Sequence, residues 1–206
     1  MPGYTNYSDK TRLRRHMQAT RRVLSMEERQ AKSYAICAHA MALARYIDSP
    51  MVAAYYPAGS EVDCRPILAH ALAEQKKVYL PVVPYGASKA LWFCPYLATT
   101  QAKLKKSALG ILEPPFDPDT ALTAKDLTLV FVPLLAFDPS GYRLGTGGGY
   151  YDISFQWLKE ARFKKQTACR LVGLAFDCQE FPQLPKDAWD IPMDYIITES
   201  RTRECL

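Results

Sequence analysis

Apolar runs alternating with amphipathic segments make this chain an α/β protein, an open, mostly parallel three-layer sheet flanked by helices. The runs are continuously apolar rather than alternating, which is the pattern of strands buried on both faces. The clearest of them, LTLVFVP from Leu127, carries the chain towards RLGTGGGYYD, Arg143–Asp152, where four of the ten glycines fall within five positions. Ligands of such sheets bind beyond the carboxyl ends of the strands, so chemistry is expected at YYPAGSE, VPLLAFD and AFDCQE. At 206 residues and 49% hydrophobic content the chain can bury one substantial core and is short for two, so residues 1–206 are read as a single domain.

Ser8 or Asp9 can cap a first helix reaching about Arg22. Ser25 with Glu28 matches a capping box, opening a second helix through an apolar-periodic segment up to Tyr46. MVAAYY, ending at Pro57, reads as the first strand, and Asp63 then caps a helix with Pro66 in its first turn, running to about Gln75. KVYLPVV and LWFCPY follow as strands, while residues 99–123, with Gly110 and a cluster of prolines and aspartates, read as lysine-rich loops. After LTLVFVP come one helix, YYDISFQWLKEA, the strand RLVGLAF and a last short strand, YIIT.

A net charge of +5 and a pI near 8.8 are only modestly basic, which leaves nucleic acid and small anions both open as partners. Eight Lys or Arg residues lie between Lys10 and Lys32, and Lys103, Lys105 and Lys106 form a second group. Such runs are ordinarily solvated faces, and polyanionic small molecules are also drawn to them. The six cysteines form no C-x-x-C pair and the histidines at 16, 39 and 70 do not cluster with them, which argues against a zinc site or a disulfide framework. No apolar run approaches a membrane span, and MPGYTNYSDK lacks the pattern of a signal peptide, so a cytosolic protein is expected.

The glycines of Arg143–Asp152 suit an anion cradle, because successive N–H groups converge on oxygens where no Cβ intervenes. A helix starting near Tyr150 would add its N-terminal dipole. The loop is not a Walker A motif, since no Lys-Ser or Lys-Thr follows, and Tyr150 stands where a dinucleotide fingerprint wants its third glycine. Arg143 suits bidentate phosphate recognition, or alternatively a structural pair with Asp138, for which an Asx turn is the other reading. Lys10 and Arg14 are four apart on one helix face and either reach a polyanion together or are surface charge. Arg21 and Arg22 are read as salt-bridge or surface residues. Asp152 falls in a helix's first turn, where a carboxylate is either a dipole partner or a cation ligand. Glu61 is a helix-entry carboxylate or a ligand contact, and Glu113 and Trp92 are further candidates.

AFDPSGYRLGTGGGYYD, Ala136–Asp152, resembles the signature of the 5-formyltetrahydrofolate cyclo-ligase family, and DKTRLRRHMQATRRVLSMEER, AAYYPAGSEVD and WDIPMDYIITE agree in order and approximate spacing. Thr146 stands where a larger aromatic, basic or methionine side chain is usual, and Ile153 replaces the usual arginine. The resemblance implies an ATP- and Mg2+-dependent ligase converting 5-formyltetrahydrofolate to 5,10-methenyltetrahydrofolate, with release of ADP and phosphate, through a phosphorylated formyl intermediate. It implies Lys10, Arg14, Arg143, Leu144, Gly145, Thr146, Gly147, Gly148, Gly149, Tyr150 and Tyr151 as the ATP site, with Arg143 and Tyr151 catalytic. Tyr56 and Glu61 would join Thr146, Gly147, Gly148, Gly149 and Tyr150 on the folate. Asp152 and Asp194 would be the magnesium-associated pair, with Asp190 competing for the second role. The implied partner is a reduced folate, with or without a polyglutamate tail; no feature of the chain demands an oligomer, so a monomer that needs no nucleic acid or membrane is expected. Two other classes remain: a sugar-phosphate isomerase or CoA-transferase-like enzyme, which would not consume nucleotide, and a non-catalytic RNA-binding protein, which would show steep salt dependence.

Overall fold

The computed structural model describes residues 9–83, 86, 88–166 and 168–206. Asp9 caps α1 (Lys10–Val23) by accepting the Thr11 N–H at 2.7 Å, whereas Ser8 lies outside the described residues. The Ser25–Glu28 capping box opens α2, which runs Met26–Met41; a separate short helix, α3 (Ala44–Asp48), replaces the expected extension to Tyr46. The first strand, β1 (Met51–Ala53), is shorter than MVAAYY. α4 (Arg65–Ala73) has Pro66 in its first turn as expected, but its N-cap is Cys64, and Asp63 instead accepts the Arg65 N–H at 3.1 Å.

Further along come β2 (Lys77–Val82), β3 (Trp92–Pro95), the two-residue strands β4 (Lys105–Lys106) and β5 (Leu112–Glu113), and β6 (Leu129–Pro133). The chain then forms a hairpin, β7 (Ala136–Phe137) with β8 (Arg143–Leu144), followed by α5 (Tyr150–Phe155), α6 (Leu158–Phe163), β9 (Arg170–Leu174), β10 (Tyr195–Ile197) and β11 (Thr202–Glu204). YYDISFQWLKEA therefore makes two six-residue helices rather than one. Among the described residues no helix is long and apolar enough to cross a membrane.

Seven strands form the main sheet in the order β11-β10-β9-β6-β1-β2-β3. β10, β9, β6, β1 and β2 run parallel, and each edge is closed by one antiparallel strand. The crossover from β1 to β2 goes through α4, and the one from β6 to β9 through α5 and α6 on the opposite face. The connections diverge between β1 and β6, which opens a crevice at the carboxyl ends of those strands.

Side-chain alternation divides the core between the two faces. Leu129 and Phe131 of β6 pack with Ile36, Tyr46, Ile67 and Leu68 from α2, α3 and α4. Val130 and Val132 point the other way, towards Phe155 and Leu158 of α5 and α6. A third cluster sits past the strand ends, where Leu13 and Met17 of α1 bury against Leu135, Ala136, Leu144 and Leu184. Full burial of a leucine is worth about 1.5–3 kcal/mol, so Leu13 helps to pin the basic face of α1 over the crevice.

Candidate active site

A cavity of about 800 Å³ occupies the β1/β6 crevice. Tyr55, Tyr56 and Glu61 enter it from beyond β1, and Pro133, Leu134 and Leu135 from the end of β6. Its charged wall is assembled by α1, β8 with the glycine loop, the start of α5 and residues 187–190. Its other wall is mainly apolar, from Pro81, Val83, Leu91, Leu109 and Ile111 near β2 and the β4–β5 hairpin.

On the charged wall Lys10 Nζ donates to Asp187 Oδ2 and Asp190 Oδ2, each at 2.7 Å. Burial works to lower the ammonium pKa, but the two carboxylates outweigh it and raise the value, so the charge is retained. Arg14 donates Nε to the Gly145 carbonyl at 2.9 Å. Its guanidinium lies over Gly147, where φ is +107° and a Cβ would stand 3.4 Å from Arg14 Cζ. Any larger residue there would strain the backbone and press on the arginine.

Arg143 donates Nη1 to the Ile191 carbonyl at 2.8 Å and Nη2 to Asp152 Oδ1 at 3.0 Å, with its guanidinium 5.9 Å from the Tyr151 ring centre. Asp152 Oδ1 also accepts the Ile191 N–H at 3.2 Å, so the pair ties the first turn of α5 to the 187–191 segment. Gly149 precedes that turn with φ +74° and caps it with no side chain, which leaves the amides of the turn facing the loop. α5 is six residues long, so local N–H groups matter here more than a long helix dipole.

Two carboxylates sit deep in the cavity. Glu61 accepts the Ala58 N–H on Oε2 at 3.0 Å; burial raises its pKa, with that hydrogen bond and Arg21 opposing. Glu113 on β5 is 8% exposed and accepts the Val83 N–H on Oε1 at 3.3 Å, and burial raises its pKa as well. Tyr151 stacks on Phe155, with ring centres 6.3 Å apart, and burial pushes its hydroxyl far above the ordinary tyrosine range. One side of the cavity thus favours anions, while the other holds carboxyl groups beside apolar surface, where N–H donors would be matched.

The sequence model of the 5-formyltetrahydrofolate cyclo-ligase family matches residues 6–199. The chain belongs to this family. It is 33% identical to the 5-formyltetrahydrofolate cyclo-ligase of Escherichia coli K12 over 186 residues, covering 89% of this chain and 97% of the relative. The cyclo-ligase of Haemophilus influenzae is 30% identical over 188 residues, covering 91% and 96%. Among solved structures, the 5,10-methenyltetrahydrofolate synthetase of Aquifex aeolicus superposes with a TM-score of 0.76 at 34% identity, covering 95% of this chain and 92% of that one. As a member of the cyclo-ligase family the protein is an enzyme of the ligase type, on the family's mostly parallel, helix-flanked sheet.

The cyclo-ligase cavity gathers Lys10, Arg14, Tyr56, Glu61, Arg143, Leu144, the loop Gly145–Gly149, Tyr150, Tyr151 and Asp152 in one place. Asp194 is not brought there. It is 5% exposed, and its carboxylate is taken by Arg162 Nη2, by the Leu171 N–H at 2.7 Å and by Arg170 at 3.7 Å, locking β9 to β10. Asp190, the competing aspartate, does line the cavity, together with Asp187.

Arg143 pairs with Asp152 and not with Asp138, which forms the Asx turn by accepting the Ser140 and Tyr142 N–H groups at 2.9 and 3.2 Å. Arg21 is a buried residue rather than a surface one, while Arg22 is exposed. Trp92 packs on Phe116 away from the cavity, whereas Trp189, 65% exposed, lines it. Trp189, Asp187, Gln156 and Lys89 escaped the sequence reading. The signal for Trp189 is its place in WDIPMDY, directly before Asp190.

Proposed function

We propose that this enzyme converts 5-formyltetrahydrofolate to 5,10-methenyltetrahydrofolate at the expense of ATP, acting in the cytosol as a single-domain monomer. The observation that carries the reading is one cavity with two unlike walls. The cationic wall of Lys10, Arg14, Arg143 and the glycine loop suits a triphosphate, and the apolar wall with Glu113, together with Glu61 from beyond β1, suits a flat heterocycle rich in N–H donors. The names of the relatives agree with the substrate and product.

The amide oxygen of the formyl group is a poor leaving group, so it first takes the γ-phosphoryl group: an O–P bond forms, the bond to the β-phosphate oxygen breaks, and ADP departs. N10 then attacks the formyl carbon, the C–O bond breaks, phosphate leaves, and N10 gives up its proton to close the methenyl ring. No protein nucleophile is needed, and catalysis rests on positioning and charge neutralisation. Arg143, held by the Ile191 carbonyl and Asp152, faces the phosphoryl group as it transfers, and Tyr151 beneath it keeps that guanidinium in place. Glu61 and Tyr56 orient the pterin.

A magnesium ion fits the donor set, since a hard cation in such sites takes one or two carboxylates plus phosphate oxygens. Asp152, whose hydrogen bonds among the described residues all fall on Oδ1, would hold it with Asp190 or Asp187. When bound it would neutralise charge on the phosphates. Among the described residues no group of three His, Cys, Asp or Glu side chains could hold the ion, so phosphate oxygens and water would supply its other ligands.

The test is to mix the protein with 5-formyltetrahydrofolate and Mg2+, with and without ATP, and to follow the near-ultraviolet absorbance of the methenyl product. Product that requires ATP is expected. ATP binding without any methenyl species would reject the substrate assignment.

A further inference from the structure

Apart from the main cavity, a second hollow of about 320 Å³ opens between α1, the start of α2 and the turn at Ala58–Ser60. Arg21, Arg22 and Arg29 surround it, with Gln18 beside them. Three guanidiniums around one hollow repel each other unless carboxylates or a bound anion intervene. Among the described residues none of the three takes part in an ion pair. Arg21 donates Nε to Ser60 Oγ at 2.9 Å and Nη1 to the Leu134 carbonyl at 3.3 Å, and Arg29 donates Nη1 to the Leu24 carbonyl at 2.7 Å. All of these acceptors are neutral. Burial lowers the Arg21 pKa, Glu61 opposes that and Arg22 adds to it. Glu61 itself turns Oε2 to the Ala58 N–H.

We propose that this hollow is a second anion site, taking a phosphate or carboxylate group on the forks of Arg21, Arg22 and Arg29. The planar guanidinium matches both groups with paired N–H donors. Ser60, on the hollow, is followed directly by Glu61, on the main cavity, so an anion here would also steady the turn that carries Glu61. The anion is either free phosphate or the carboxylate tail of a larger ligand. The inference stands on the geometry of the hollow and not on the reaction proposed above.

The experiment is a titration of the 15N-labelled full chain with inorganic phosphate and, separately, with γ-linked triglutamate, following the amides of Gly59 and Ser60. Three proteins are compared: wild type, Lys10→Ala, which weakens phosphate binding in the main cavity, and Arg22→Ala with Arg29→Ala. Saturable shifts are expected in the first two, with affinity at least tenfold weaker in the double variant. Arg22→Glu, at an exposed position, gives the same reading if the double variant does not fold. A response to phosphate alone assigns the site to the free ion, and a response to triglutamate alone assigns it to a tail. No saturable shift with either probe, or an affinity unchanged by the arginine variants, overturns the proposal.

Discussion

The two walls of the cavity are built by different means. The cationic wall draws its cradle from one decapeptide, Arg143–Asp152, and adds Lys10 and Arg14 from a helix pinned by Leu13 and Met17. The apolar wall collects single residues from β2, from Leu91 just before β3 and from the β4–β5 hairpin, and sets Glu113 among them. Charges on the first wall satisfy one another through short contacts, while Glu113 on the second, and Glu61 beyond β1, have few partners and raised pKa values. One wall is arranged to neutralise developing charge and the other to recognise, which predicts different kinetic signatures for damage to each.

The largest effect is expected from the cationic wall. Arg143→Ala should lower kcat/KM by about 10²–10³-fold, the range for losing one preorganised donor to a transition state. Steady-state kinetics on a variant with an unchanged far-ultraviolet spectrum would measure it, and Arg143→Lys should recover only part of the loss. Activity within threefold of wild type would remove Arg143 from the chemistry.

Two aspartates sharpen the same comparison. Asp152→Asn should reduce turnover and raise the Mg2+ concentration needed for half-maximal rate. Asp194→Asn should leave that Mg2+ dependence alone and instead cost about 3–5 kcal/mol of stability, as breaking a buried ion pair does, read as a fall in Tm. The reverse pattern would restore Asp194 to the metal site.

Among the recognition groups, Glu61→Gln should raise KM for the folate about tenfold and leave KM for ATP unchanged, since one matched N–H acceptor is worth roughly 1–2 kcal/mol. Burial raises the pKa of Glu113, so the folded chain keeps that proton to higher pH than the unfolded chain does. Its contribution to stability is present in full below the unfolded carboxylate pKa and is lost as pH rises through the raised value. Glu113→Gln, which cannot ionise, should therefore gain on wild type in urea midpoint towards about pH 8 and lose that advantage near pH 4. An advantage independent of pH would show that ionisation of Glu113 does not matter. The smallest effect is expected at the rim, where Trp189→Ala should change either KM only a few-fold, because a half-open aromatic surface recovers little desolvation.

What could be read from the chain follows the same division. Asp9, Ser25 with Glu28, and Pro66 are local signals, and the helices they open are where the sequence puts them. RLGTGGGYYD was legible because its glycines are adjacent. Helix length was less so: Gly149 starts α5, but the turn at Gln156 and Trp157, which lets Phe155 and Leu158 both reach the sheet, has no breaker residue to announce it. Edge strands β3 and β11 are antiparallel because short connections return them to their neighbours, and apolar content does not carry direction. Asp194 and Asp190 are four residues apart and look alike in sequence. Only the placement of Arg162 and Arg170 beside one, and of Lys10 beside the other, sends them to opposite tasks. Arg21 misled for the same reason, since a basic run does not reveal which member faces inward.

The central claim is that the phosphoryl group passes to the formyl oxygen within this cavity. The direct measurement is turnover of 5-formyltetrahydrofolate labelled with 18O in the formyl group, with mass analysis of the released phosphate. One 18O atom per phosphate is the result this account predicts. Phosphate free of label, with methenyl product still formed, would show that the formyl oxygen leaves by another route and would contradict it.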